Sequence, residues 1–169
     1  MTVNTAKATR RPLQFKCLGC LRAELDRIDA AHRAGTLAHT GNWTPAQVLD
    51  HCAVLWEAAL DGGQPPAPFI ARLFGRFMKG SLLKPEGGSM KPGFILPKDA
   101  AHLLPRAGVT MPEAMARIRK VVSRLDAGER MTHPSAWLGP MTHDEWLRLN
   151  LNHTQMHAGF ITYPGAPQR

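Results

Sequence analysis

In the stretch "LNLNHTQMHAGF", His153 and His157 stand four residues apart. On a helix that spacing leaves two imidazoles roughly 40° apart on one face, close enough to reach a common point. Trp146, Leu149, His153, Met156 and Phe160 recur at intervals of 3, 4, 3 and 4, the pattern of an inward-facing seam, and His153 lies on it. Much earlier, "PAQVLDHCAVLWEAALDGG" carries a second seam through Val48, His51 or Cys52, Leu55 and Ala59. Three neutral imidazoles on facing seams are hard to satisfy with hydrogen bonds alone, because a buried polar group without a partner is costly.

One divalent ion held by His51, His153 and His157 removes that difficulty. Imidazole nitrogen suits Zn, Ni, Fe or Cu, with Zn or Ni the leading assignment. Three protein ligands leave coordination positions open for water or substrate. An open position on such an ion makes catalysis available. The competing reading is a non-catalytic metal- or ligand-binding bundle, in which the histidines form a polar network or a closed structural site. Asp50, Glu57 and Asp61 share a helix with His51 and are candidates to orient a ligand ring or accept a proton. Of the four tryptophans, Trp56 or Trp146 is placed to line a pocket beside the metal, the others in the core.

The elements that position these residues are marked by their starts. Thr44 with Gln47, Thr110 with Glu113 and Thr142 with Glu145 each match the capping-box pattern. Pro45 sits at the first helical position, where its missing N–H costs nothing. The helix from Thr44 is expected to stop at Gly62 and Gly63, which supply a left-handed cap. A second runs from about Pro112 to Gly128, and the last from Thr142 to about Thr162. Upstream, Leu18, Leu21, Leu25 and Ile28 predict a helix that ends at Gly35.

Between the second and third of these long helices lie some fifty residues rich in Pro and Gly. "PFIARLFGRFMKGSLL" is expected to hold about three helical turns. Residues 79–109 read as an ordered loop or cap across one end, with Phe94, Ile95 and Leu96 giving it something to bury. Residues 1–9 read as flexible. The expected architecture is one all-α domain over 1–169, a four-helix bundle with a long crossover, whose core is a customary place for metal sites.

Composition narrows the function classes. The chain has 169 residues, 44% hydrophobic and 20% charged, enough to bury a core without staples. No apolar run approaches the ~18 residues a membrane span needs. The pair Arg10 and Arg11 with Leu13 and Phe15 faintly resembles a twin-arginine signal, but the charged stretch that follows favours a cytoplasmic protein. Net charge is +8, and residues 72–130 carry 12 Lys and Arg against 5 Asp and Glu, a local +7. Arg72, Arg76 and Lys79 in that stretch would draw an anionic small-molecule substrate. Aromatics do not interleave with the basic residues as a single-strand stacking platform requires, which argues against nucleic acid. Homodimerisation through bundle faces is a further expectation. His133 and His143 read as loop packing and capping residues. Cys17 and Cys20 form a C-x-x-C with no second pair and no preceding strand, and are expected to pack as small apolar residues.

"GNWTPAQVLDHCAVLWEAALDG" followed by "HPSAWLGPMTHDEWLRLNLNHTQMHAGFI" resembles the DinB-like (YfiT-like) superfamily of metalloenzymes, and more narrowly a branch carrying a domain of unknown function. The likeness spans residues 10–163. It implies an up-down-down-up four-helix bundle and a metal triad at His51, His153 and His157. Relatives include thiol S-transferases that use bacillithiol or mycothiol and a mycothiol-dependent maleylpyruvate isomerase. The resemblance therefore also implies a low-molecular-weight thiol as cosubstrate, activated as a thiolate by the metal.

Overall fold

A computed structural model describes residues 2–85, 90–93 and 98–166. The chain is mostly helical. Among the described residues five α-helices run α1 (Leu18–Arg33), α2 (Pro45–Asp61), α3 (Phe69–Leu82), α4 (Met111–Asp126) and α5 (His143–Ala158), with a 3-10 turn at Lys98–Leu103. Two-residue strands, β1 (Ala38–His39) and β2 (Ile161–Thr162), pair antiparallel with Ala38 opposite Thr162. No helix among the described residues is long and apolar enough to cross a membrane.

The helix starts form where the capping residues stand. Thr44 and Thr142 each accept the amide of the residue three on, while Gln47 and Glu145 accept the cap residue's own amide. At Thr110 the Glu113 carboxylate takes both the amide, at 2.8 Å, and the hydroxyl, at 2.6 Å. Each such cap is worth about 1 kcal/mol. α2 ends at Gly62, whose φ of 70° is positive as glycine allows, while its ψ of −141° departs from the left-handed helical cap expected there. Glycine is required at this position twice over, because a Cβ would stand 2.6 Å from His133 Nδ1.

α2 is the central helix, packed on both α4 and α5, with α1 against α4. Leu49, Cys52, Ala53, Trp56 and Ala59 are fully buried along it, facing Ile118 and Val121 of α4 and Trp146 of α5. Two tryptophans anchor polar ends inside this core: Trp56 Nε1 donates to Thr154 Oγ1 at 3.0 Å, and Trp146 Nε1 donates to the His133 carbonyl at 2.7 Å. Both are therefore core residues and neither lines the cavity described below.

Two differences from the sequence expectation concern where helices end. α5 stops at Ala158 rather than Thr162, because Ile161 and Thr162 join β1 and the Gly159 carbonyl accepts from Arg11 N–H at 2.8 Å. α3 has 14 residues and runs through Leu82, so the segment expected as loop from 79 begins helical. The burial expected of Phe94, Ile95 and Leu96 falls outside the described residues. Near the N-terminus, Val3 N–H donates to Asn42 Oδ1 at 2.7 Å, and Thr40 Oγ1 donates to the Thr9 carbonyl at 2.6 Å.

α3 stands apart from the other helices in what it buries. Of its residues only Gly75 is buried, pressed on the 137–138 turn so closely that a Cβ would lie 2.2 Å from the Trp137 carbonyl oxygen. Phe69, Ile70, Leu73, Phe74, Phe77 and Met78 are exposed, leaving an apolar arc turned outward. Lys79 ties the helix to α5 through Glu145, at 2.8 Å, and to the Pro140 carbonyl, at 2.7 Å.

Most deep polar groups are paired, Asn150 Oδ1 and His153 Nδ1 being the buried side-chain atoms without a hydrogen-bond partner among the described residues. Arg11 and Glu24 form a buried ion pair, with Tyr163 O–H donating to Glu24 at 3.1 Å and Arg11 Nη2 reaching the Ala158 carbonyl at 3.3 Å. This knot fastens the N-terminal segment and the chain beyond α5 onto α1.

Candidate metal centre

His51 comes from the first half of α2 and the other two histidines from the last turns of α5. The two helices pack together, so the three rings meet: centroids are 4.9 Å apart for His51 and His153, 4.6 Å for His51 and His157, and 4.6 Å for His153 and His157. One nitrogen from each lies within 4.8 Å of the others, the one such cluster of potential ligands among the described residues. His51 Nε2 and His153 Nε2 are 3.2 Å apart. Two nitrogens each about 2.0–2.1 Å from a tetrahedral ion stand about 3.3 Å from one another, so the pair already has the spacing of adjacent ligands.

The tautomer of His51 is set by its other nitrogen. Nδ1–H donates to the Leu103 carbonyl at 2.6 Å, which leaves Nε2 as a bare lone pair aimed at the cluster. Three residues beyond Leu103, Arg106 anchors the same segment to α2. Arg106 gives Asp50 its backbone N–H, at 2.9 Å, and its guanidinium, at 2.8 Å, while Arg117 adds a contact of 2.8 Å. Asp50 adjoins His51 in sequence, so the segment that carries the Leu103 carbonyl and Arg106 is tied to two neighbouring residues of α2. Burial alone would raise the Asp50 pKa. Hydrogen bonds from Arg106 and then Arg117 outweigh it and hold the carboxyl at about 2.

All three imidazoles are uncharged at neutral pH. Burial pushes His51 down, opposed by the Leu103 hydrogen bond and the Asp50 charge. Burial, and then repulsion from His51, takes His153 to about 3. His157 is held well below its ordinary value by burial and by both neighbouring rings. Their lone pairs are therefore free of protons, the state in which imidazole binds a metal. His153 and His157 keep an edge open to a cavity although protein encloses most of each ring.

Trp43, one residue before the α2 cap, completes the wall. Its ring lies 4.7 Å from His51 and stacks on His157 at 5.5 Å. A cavity of about 350 Å³ opens over the three histidines, walled by Val54, Leu55, Met78, Leu82, Leu103 and Met156 with Lys91 at its edge. A second, of about 450 Å³, runs toward residues 2–6 and shares Trp43, Lys91, Met156 and His157 with the first. A larger one of about 510 Å³ includes none of the histidines and lies on the face of α5 bearing Arg148, Asn152 and Gln155.

Several sequence expectations land elsewhere. Arg72, Arg76 and Lys79 do not line the histidine cavity; Met78 and Leu82 are what α3 contributes, and the cation at the cavity is Lys91. Asp50 serves the site through Arg106 rather than touching a ligand ring. Glu57 pairs with Arg117 and Asp61 with Arg124, so neither orients an imidazole. Cys52 is enclosed, its thiol pushed up to about 12 by burial, and points away toward Thr154. His143 starts α5 and accepts the Met131 amide at 3.1 Å, while His133 packs on Gly62.

A sequence model for a family described as a protein of unknown function, DUF1569, matches residues 7–163. The chain belongs to this family. No curated protein and no solved structure matches it. The matched span contains every residue of the centre, from Trp43 to His157, so the geometry belongs to the DUF1569 domain itself. The sequence alone missed three parts of it. Trp43 lies outside any periodic helix, and its one signal is its place before a capping threonine. The Leu103 carbonyl has no side-chain signature at all. Arg106 meets Asp50 across 56 residues, a pairing that no local pattern encodes.

Proposed function

We propose that this DUF1569 domain is a cytoplasmic metal-dependent enzyme in which His51, His153 and His157 hold a divalent ion, Zn or Ni, and an open position acts on a small-molecule substrate. The observation that carries the reading is the 3.2 Å approach of two imidazole nitrogens, one with its lone pair fixed inward, beside a cavity of about 350 Å³. Such an ion supplies Lewis acidity, lowering the pKa of a thiol or water at the open position. We further assign the domain to the DinB-like superfamily, as an up-down-down-up four-helix arrangement of α1, α2, α4 and α5 with α3 in the crossover. A low-molecular-weight thiol is the cosubstrate that this assignment favours, with thiol S-transfer as the reaction class.

The chain's own residues divide the remaining work. Leu103 fixes the His51 ring, and Trp43 packs on two ligand rings and limits their rotation. Val54, Leu55, Met78, Leu82 and Met156 make the cavity apolar, which strengthens electrostatic interactions inside it. Lys91 offers a positive charge to an anionic group at the edge. A closed structural site needs a fourth protein ligand, and the cluster among the described residues supplies three, which favours the open, catalytic reading.

Elemental analysis of untagged protein tests the proposal. One transition-metal ion per chain is expected, falling to a small fraction in His153→Ala with the helical circular dichroism retained. Metal-free wild type that takes up neither Zn nor Ni on dialysis, or an H153A variant that keeps full occupancy, would overturn it.

A further inference from the structure

A second group of reactive side chains lies outside the centre, at the start of α1. Cys17 is the N-cap of that helix, with extended backbone (φ −157°, ψ 168°), and makes no side-chain cap bond to the helix. Its sulfur instead meets that of Cys20, one turn on, at 3.2 Å. Both thiols are free, Cys17 exposed and Cys20 half-buried, whereas Cys52 is enclosed. The expectation that the pair packs as small apolar residues holds for one of the two: Cys20 is half-buried and packs against the core, whereas Cys17 faces solvent.

Three features suit this pair to thiol chemistry. The sulfurs are already in contact, so bridging them requires rotation of side chains and no movement of helices. The Cys20 thiol is lowered from its ordinary value by the Cys17 thiol first, and then by the backbone amides of Lys16, Cys17 and Cys20 that surround it, as expected at a helix N-terminus. A Cβ at Gly19 would lie 3.6 Å from Cys17 Sγ and 3.8 Å from Arg22 Nη2, so the sulfur and the guanidinium flank the same glycine. Arg22, half-exposed and paired with Asp126, also places a guanidinium on this side of the helix start.

We propose that Cys17 and Cys20 form a thiol–disulfide exchange site that reacts with low-molecular-weight disulfides of anionic thiols, separate from the histidine centre. The Cys20 thiolate attacks one sulfur of the disulfide RSSR. The S–S bond of RSSR breaks, RS⁻ leaves, and a mixed disulfide forms on Cys20. Cys17, giving up its proton, then attacks the Cys20 sulfur and expels the second RS⁻. The dithiol has lost two electrons and two protons; RSSR has gained both and leaves as two RSH. The reverse sequence reduces the bridge. None of this depends on a metal at the histidines, so the two readings stand or fall separately.

The test uses full-length protein equilibrated without oxygen in graded mixtures of glutathione and glutathione disulfide, then acid-quenched, alkylated and mapped by peptide mass. The expected result is a fall from three free thiols to one in a single two-electron transition, with the bridge mapped to Cys17 and Cys20 and Cys52 still reduced. Cys17→Ser is expected to accumulate one glutathione adduct on Cys20. Cys20→Ser is expected to form no bridge, and its remaining Cys17 to take adduct more slowly than Cys20 does in C17S. Three thiols that stay reduced across all mixtures, a bridge that involves Cys52, or a C17S variant without adduct would each overturn the proposal.

Discussion

Replacing Asp50 by Asn probes whether the carboxylate beneath the centre is what holds it together. Asp50 is fully buried and its two partners are not: the Arg117 side chain is 25% exposed and that of Arg106 56%. Holding the carboxyl at about 2 instead of its ordinary 3.8 corresponds to about 2 to 3 kcal/mol of folded-state stability. Because the folded value is the lower one, this contribution is complete above the unfolded carboxylate's range and is lost as pH falls from near 3.8 toward 2. Asp50→Asn should therefore cost about 2 to 3 kcal/mol in urea denaturation at pH 7, and the gap from wild type should shrink to near zero by about pH 2. The same change releases Arg106 and loosens the Leu103 carbonyl against His51, so affinity for Zn should fall about 10- to 100-fold, as for other groups that orient a ligand ring. A variant as stable as wild type at pH 7, or a deficit that persists undiminished at pH 2, would refute the electrostatic account. Full stability loss with unaltered Zn affinity would refute the link from Asp50 to His51.

Other outcomes follow from individual contacts. Trp43→Phe should remove most of the tryptophan fluorescence change on titration with Ni or Co, since Trp43 alone among the four tryptophans contacts ligand rings. Glu24→Gln leaves the buried Arg11 guanidinium without its counter-charge and should cost about 3 kcal/mol or more, read as a lower urea midpoint. Gly62→Ala should cost about 2 kcal/mol by thermal denaturation, from a positive φ and the clash with His133. Thr142→Ala removes half of a capping box at the start of the helix that carries His153 and His157, and should cost about 1 kcal/mol.

The parts of this fold that could be read from sequence are those whose cause is local. A capping threonine, a proline at the first turn and a glycine pair fix α2 to within a residue, because each satisfies or ends its own turn of backbone. The clustered histidines were legible for the same reason, since periodicity alone puts His153 and His157 on one face. Where the seam offered His51 or Cys52, the choice depended on what stands opposite. Tertiary packing decides it: Cys52 meets Thr154, and His51 meets the rings of α5. The end of α5 was missed because a two-residue strand is too short to show alternation, and its partner lies more than a hundred residues away. Nothing local in the α3 sequence marks which of its sides is outward, and only the packing of Gly75 on the 137–138 turn reveals which side faces in.

That outward face changes how the cavity should be pictured. Two of its wall residues, Met78 and Leu82, belong to a helix that buries only a glycine, whereas its floor belongs to α2 and α5 in the packed core. Floor and wall thus run on different clocks. Detaching α3 exposes little new apolar surface, so it should open with a free energy well below that of global unfolding, while amides of α2 and α5 exchange only near the global limit. The histidines would then sit on a rigid base under a wall that comes and goes, and the depth of the pocket becomes a population rather than a fixed dimension. Hydrogen exchange that protects residues 70–82 as strongly as residues 48–60 would show the wall to be as permanent as the floor.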